Sequence, residues 1–276
     1  MDIILYNIGA VIIVLLTSYL IGSISNSILI SKIFFHKDPR EFGSGNPGGT
    51  NTGRMLGKKI GFLVIVLDSL KIIAPMYIFW LILTKAPIYY GVPLMNTVQQ
   101  IYIEGVNDAV IKWPVYWLTT VGISIGHCFP IYYHFKGGKN VSTVTGIAIG
   151  TSWLYLTFGL PLYLLILKIK KYVSLASIII GWVMVACFWG WAVLITTKTI
   201  PNEFLFFINY GPSLDCGYTS AICYTFCVSL MTIRHKENII RLMNGTERKI
   251  KWMDGKKSKN QKPQTSEDNN NAESVE

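Results

Sequence analysis

The stretch VSTVTGIAIGTSWLYLTFGLPLYLLIL, residues 141–167, decides the fold. It contains no Asp, Glu, Lys or Arg. About 20 mostly apolar residues cross a bilayer, so the run belongs in a membrane. Whether it crosses once or twice sets the side of every later loop. Read as one crossing, it leaves Lys168, Lys170, Lys171 and the basic stretch 234–259 outside. That opposes the excess of Lys and Arg found in cytoplasmic loops. Read as two short helices parted near residues 150–153, the chain goes out and returns, and both basic segments lie inside. Each half is too short to cross about 30 Å at 1.5 Å per residue. Short helices at membrane depth are tolerated where protein buries them or a cavity faces them. The divided reading is preferred. The undivided one gives six spans and an exterior C-terminus.

Further apolar runs lie outward from this one, at 3–30, 60–83, 113–133, 175–197 and 218–233. The expectation is an all-α polytopic integral membrane protein with about seven transmembrane segments, two of them the short broken pair. The loop at 31–59 carries Lys32, Lys37, Arg40, Arg54, Lys58 and Lys59, so it is placed in the cytoplasm. The N-terminus then lies outside, as do 84–112 and 198–217, and the C-terminus is cytoplasmic. Residues 1–250 read as a single transmembrane domain. Residues 251–276 are polar and low in complexity, and are expected to be disordered. The first run lacks a basic n-region and is too long for a signal peptide.

Composition agrees. Of 276 residues, 51% are hydrophobic and 14% charged, and mean hydropathy is +0.41. Soluble domains carry about 25% charge. A soluble enzyme, a disordered chain and a nucleic-acid-binding domain are disfavoured, and no nucleic-acid partner is expected. The net charge of +10 reads instead as cationic loops facing anionic lipid. The five cysteines form no CxxC pair and read as small buried hydrophobes, with Cys216 alone in a loop.

Three polar clusters fall on the cytoplasmic side. The first is Gly43-Ser44-Gly45-Asn46-Pro47-Gly48-Gly49-Thr50-Asn51, followed by Arg54. Glycines let a backbone approach a ligand closely, and successive N–H groups form an anion nest. Ser44, Asn46, Thr50 and Asn51 add neutral donors, and Arg54 adds a guanidinium fork suited to phosphate. A helix beginning near Asn51 would add its N-terminal dipole. The second cluster is Phe135-Lys136-Gly137-Gly138-Lys139-Asn140-Val141-Ser142-Thr143, again glycine, cation and hydroxyl at a helix start. It is not a Walker A sequence. The third runs from Arg234-His235 through Asn238 and Arg241 to Gly245 and Glu247. His235, Asn238, Leu242 and Arg241 share a helical face, and Gly245 suits a C-cap.

Two further features lie within spans. His127, in Gly126-His127-Cys128-Phe129-Pro130, reads first as a structural histidine. Asp68 and Lys71 sit at i, i+3 deep in the second span and read as an internal ion pair supporting the site. There is no HExxH or GxSxG, so neither a metal nor a cofactor is expected. A transporter would place its polar site near the midplane, reachable from both sides. Three clusters on one face argue against that.

At these residues the sequence resembles the bacterial acyl-phosphate:glycerol-3-phosphate acyltransferase family (PlsY). Ser44 to Arg54 looks like the family's SGNxGxTNxxR block. Gly126 to Lys139 looks like its GHxFPxxxxFKGGK block, and Arg234 to Glu247 like its RHxxNxxRLxxGxE block. Three departures are Asn140 for the usual Gly, Ser142 for Ala and Gly49 for Ala.

The resemblance implies transfer of a fatty acyl group from acyl phosphate to the 1-hydroxyl of sn-glycerol 3-phosphate, at the plasma membrane. It also implies a functional link to a soluble enzyme that makes acyl phosphate, and membrane lipid as surroundings. Gly43, Ser44, Asn46, Gly48, Thr50, Asn51 and Arg54 would hold one phosphate. Lys136, Gly137, Gly138, Lys139, Ser142 and Thr143 would hold the other, with Arg234 and Glu247 also in the binding set. The family view puts acyl phosphate at the second block. Ser44, Arg54, Lys139, His235 and Asn238 are the catalytic candidates. The proton acceptor is either His235 or a substrate phosphate oxygen.

Overall fold

The computed structural model describes residues 2–85, 87–88, 92–93, 101–102, 110–111, 114–197 and 217–250. The expected disorder of 251–276, most of segments 84–112 and 198–217, and Cys216 lie outside the described residues.

The first apolar run is two helices rather than one. α1 (Asp2–Gly22) stops at Ser23, and α2 (Asn26–Phe35) starts after Ser25, whose hydroxyl accepts from the Ile28 N–H at 3.4 Å. The break survives inside the bundle because a lysine takes the place of the missing amides. Lys71 Nζ donates to Gly22 O at 3.1 Å and Ile24 O at 2.8 Å. A short α3 (Gly49–Leu56) leads through Gly57 into the long α4 (Lys58–Lys85). Two antiparallel pairs of two residues each, 87–88 with 92–93 and 101–102 with 110–111, are minor additions to the all-helical architecture.

The expected span 113–133 shrinks to α5 (Leu118–Cys128), flanked by 3-10 turns at Val115–Trp117 and Ile131–Tyr133. Pro114 and Pro130 stand at the two boundaries, where proline disfavours helix in the residue before it. Trp113 lies outside the described residues.

The stretch 141–167 is divided. α6 (Val141–Thr151) ends at Ser152 with an extended backbone, and the Ser152 hydroxyl accepts from Leu154 N at 3.1 Å to start the next turn. A π-helical turn over Tyr155–Gly159 runs into α7 (Leu160–Lys170). Then come α8 (Val173–Thr196), α9 (Gly217–Arg234) and α10 (Lys236–Met243). Among the described residues, three stretches are long and apolar enough to cross a membrane: Ile8–Phe35, Lys58–Thr84 and Val173–Leu194. The first of these contains the 23–25 break.

Small residues let the helices close on one another. A methyl group on Gly126 of α5 would lie 2.3 Å from Tyr19 O of α1, and one on Gly122 would lie 2.7 Å from the Ser18 Cβ. This GxxxG pair on α5 faces Ser18 and Gly22 on α1, the small-xxx-small geometry common between membrane helices. Gly49 does the same for α3. Its absent Cβ would meet Ile65 Cγ1 at 2.4 Å and Gly61 O at 2.7 Å, so the alanine usual in the family would push α3 off α4. One core joins Trp117, Tyr116, Met184, Phe188, Tyr224 and Met231. Phe188 and Tyr224 stack at 4.3 Å. The outer faces carry Ile13, Leu16, Phe62, Leu164 and Ile169, all exposed. In water such a surface would drive aggregation; in lipid it is solvated.

Candidate active site

The first loop is fixed from within by Asn51. This side chain is 1% exposed. Its amide donates to Pro39 O at 2.8 Å and Phe42 O at 2.9 Å, and its oxygen accepts from Ser44 N at 3.1 Å. Asn51 is therefore spent on the loop, which corrects its placement among the substrate donors. The helix start also shifts, to Gly49 with Gly48 as N-cap. Asp38 anchors the loop's approach through Arg40 at 2.7 Å and Lys32 at 3.1 Å. The Arg40 guanidinium holds the Asp38 carboxyl well below the usual carboxylate range. What the loop leaves available is Ser44, Thr50 and Arg54, all exposed, and half-buried Asn46. Their side chains make no hydrogen bond or ion pair among the described residues.

The second loop is held on both sides. Gly138 N donates to His127 O at 2.9 Å. Arg234 donates to Gly138 O at 3.2 Å and Gly137 O at 3.0 Å, with its guanidinium 5.3 Å over the Phe129 ring. So Gly137 and Gly138 are buried rather than forming an open nest, and Arg234 grips the loop that carries them. Thr143, fully buried, is also internal: its hydroxyl donates to Asn140 O at 2.9 Å and to the Asn140 side-chain oxygen. Asn140 itself sits at φ 66°, a left-handed conformation that asparagine tolerates. Its amide reaches Cys227 O on α9 at 3.0 Å, so the departure from glycine adds a tie between loop and bundle. What this loop offers an anion is Lys139, half-buried Ser142 and the unpaired first-turn N–H groups of α6. Lys136 is exposed and, among the described residues, makes no hydrogen bond or ion pair with the other clusters.

The third cluster joins the second. α9 ends at Arg234, and His235 caps α10. Lys139 donates to Asn238 Oδ1. Asn238 Nδ2 donates to Glu247 Oε1 at 2.6 Å, Ser174 donates to the same oxygen at 2.8 Å, and Arg241 Nε donates to Glu247 Oε2 at 2.8 Å. Glu247 therefore organises its neighbours. Burial pushes its carboxyl up, but these three hydrogen bonds outweigh that and hold it below its ordinary value. Its position comes from a Schellman turn. Gly245, at φ 70°, donates to Leu242 O at 3.2 Å, and Thr246 N donates to Arg241 O at 2.8 Å. The chain then crosses to α7, where Ile250 N donates to Lys171 O at 2.8 Å.

His235 is 3% exposed, and its Nδ1 lies 2.8 Å from Met231 O. A carbonyl only accepts, so Nδ1 carries the proton and Nε2 presents a lone pair. Burial, with Lys139 nearby, pulls its pKa down to about 4. Burial likewise lowers the Lys139 ammonium, helped by Arg241.

The first and third clusters meet through a residue the sequence reading missed. Arg248 follows Glu247 and stands across from the first loop. A methyl on Gly43 would lie 3.9 Å from Arg248 Nη1. Partial desolvation depresses the Arg54 pKa, and repulsion from Arg248 adds to this. Neither guanidinium forms an ion pair among the described residues. Glu247, the carboxylate that attracts Arg54, is already committed. The only signal for Arg248 in the sequence was its place beside the GxE end of the third block.

Asp68 and Lys71 form their ion pair at 3.6 Å, both side chains buried, and Asn26 donates to Asp68 at 2.9 Å. The arrangement is thus a one-sided cationic cradle with hydroxyl donors and one neutral imidazole. It is suited to holding phosphate groups beside an acceptor for a hydroxyl proton.

The profile of the glycerol-3-phosphate acyltransferase family matches residues 12–245. The chain belongs to the glycerol-3-phosphate acyltransferase family. Its relatives include the glycerol-3-phosphate acyltransferase of Staphylococcus aureus strain RF122, 34% identical over 244 residues, 88% of this chain and 99% of the relative. The enzyme of strain JH9 matches equally, at 34% over the same span. Among solved structures, PlsY, an integral membrane glycerol 3-phosphate acyltransferase, matches in its glycerol 3-phosphate form with TM-score 0.61 and 29% identity. That match covers 89% of this chain and 98% of the solved one. The lysophosphatidic acid form matches with TM-score 0.59 and 28% identity, over 88% and 96%. With its own long apolar helices, this family member is a multi-pass membrane protein. All three sequence blocks fall within or beside the matched region.

Proposed function

We propose that the protein transfers a fatty acyl group from acyl phosphate to the 1-hydroxyl of sn-glycerol 3-phosphate. The products are 1-acylglycerol 3-phosphate and inorganic phosphate. The observation that carries this reading is the placing of Arg54, Arg248 and Lys139 near Glu247, whose carboxylate is already committed to Asn238, Ser174 and Arg241. Cations without acidic partners favour anionic ligands, and both substrates are phosphorylated. The solved relative captured with glycerol 3-phosphate supports the same choice of acceptor.

The glycerol 3-phosphate phosphate is assigned to the Arg54–Arg248 side, with Ser44, Asn46 and Thr50. The acyl phosphate is assigned to Lys139, Ser142 and the first turn of α6. Lys139 offsets charge on the departing phosphate, and preorganised donors of this kind are usually the largest catalytic contribution. The hydroxyl oxygen attacks the acyl carbonyl carbon, the carbonyl–phosphate bond breaks, and the phosphate leaves. The donor is already activated, so no acyl-enzyme is needed, and positioning supplies much of the remaining rate. A pKa near 4 makes His235 a weak base, so it is assigned to orienting the hydroxyl through Nε2. A phosphate oxygen of the donor then accepts the proton. The site faces the cytoplasm at the plasma membrane, where a soluble enzyme delivers the donor.

The test is an assay of the purified full-length protein in lipid or detergent. Labelled glycerol 3-phosphate is supplied with palmitoyl phosphate, palmitoyl-CoA or palmitoyl-acyl carrier protein. Labelled lysophosphatidic acid should form with palmitoyl phosphate alone. Product with the thioesters only would remove the donor assignment.

A further inference from the structure

Beneath the second loop lies a chain of buried polar groups that the proposed chemistry leaves unused. Asn26 donates to Asp68, Asp68 pairs with Lys71, and Lys71 donates to His127 Nδ1 at 3.2 Å. The other two Lys71 protons go to Gly22 O and Ile24 O, so the ammonium is fully committed and fixed in place. Because Nδ1 accepts, the proton of the neutral His127 ring sits on Nε2. That edge abuts Gly138: a methyl there would lie 2.2 Å from Nε2. The backbone of the same histidine accepts from Gly138 N at 2.9 Å, and a methyl on Gly137 would lie 2.2 Å from His127 O. Arg234 holds the carbonyls of both glycines. The two glycines are therefore caught between His127 and Arg234, immediately before Lys139.

We infer that His127, fixed by the Lys71–Asp68 pair, is a positioning residue that sets the Gly137–Gly138 loop and through it the donor-binding Lys139. The inference rests on the reading that this loop holds the acyl donor. It also gives the two glycines their physical reason: any side chain at either would collide with His127. The break between α1 and α2 has a place in the same device, since its exposed carbonyls are what orient Lys71 toward the histidine.

The test compares wild type with H127A and with the double variant D68N/K71M, which leaves no unpaired buried charge and keeps a partner for Asn26. In each folded variant the KM for palmitoyl phosphate should rise about tenfold or more, while that for glycerol 3-phosphate stays within about twofold. The triple variant should be no worse than H127A, because the residues act in one chain. Hydrogen exchange provides a readout independent of turnover. Amides 135–140 should exchange at least about tenfold faster in both variants, while amides 49–56 stay at wild-type rates. Unchanged exchange at 135–140, or equal loosening of both segments, would overturn the positioning role. If wild type uses only thioesters, the donor reading fails, and the exchange comparison still decides the role of His127.

Discussion

His235 shows how a residue's type and its surroundings divide the work of assigning a role. Its ordinary pKa near 6.5 makes histidine the natural base, yet burial and Lys139 bring it to about 4. His235→Gln should keep kcat within about tenfold of wild type, because an amide oxygen can still accept the hydroxyl. A loss of 10²–10⁴, the usual worth of an acid–base group, would restore it as the base. The same shift fixes the sign of a pH effect. Between about pH 4 and 6.5 the unfolded chain binds a proton that folded His235 refuses, so stability falls as pH drops through that window. The melting temperature in detergent should therefore decline more steeply from pH 6.5 to 4 in wild type than in His235→Gln. Arg248 makes a different case. It is exposed, so Arg248→Ala should leave the melting temperature unchanged while raising the KM for glycerol 3-phosphate about tenfold, as befits one lost charge-assisted contact. Asn51 and Thr143 were legible as polar residues in the right blocks. Only their burial against Pro39, Phe42 and Asn140 reveals that they hold loops rather than ligands.

At the scale of elements, hydropathy finds apolar runs and is blind to breaks within them. The division of 141–167 was legible because a charge rule, external to the helix, demanded it. The break at 23–25 was not, because Ser23-Ile24-Ser25 costs little apolar character. What sustains it is Lys71, from α4, donating to the freed carbonyls. Helix contact was equally hidden. Gly122 and Gly126 matter through Ser18 and Tyr19 on a helix about a hundred residues earlier. Gly126→Ala would drive a methyl into the Tyr19 carbonyl, and overpacking of this kind costs roughly 1–3 kcal/mol. Thermal inactivation of Gly126→Ala should come several degrees below wild type, whereas Gly190→Ala, with open space around the added methyl, should match it.

For the whole molecule, the three blocks are brought to one end of a helical bundle by the turns at 36–48, 129–140 and 235. Single-cysteine variants Lys37→Cys, Lys136→Cys and Lys249→Cys, in a background lacking the native cysteines, should all react with a membrane-impermeant maleimide from the cytoplasmic side and not from outside. Labelling of one of them from outside would reverse part of the topology. The sequence by itself determined the membrane class, the family and the residue types of the site. Apolar run length and local motifs are properties of neighbouring residues, and the chemistry of phosphate demands glycine, hydroxyl and cation wherever the fold puts them. Only the tertiary structure decided which of those residues are left uncommitted and which brace the loops. It alone paired Arg248 with Arg54, and it alone joined Lys71 to His127. Burial and hydrogen-bond commitment depend on segments remote along the chain, and no local pattern records which donor has already been taken.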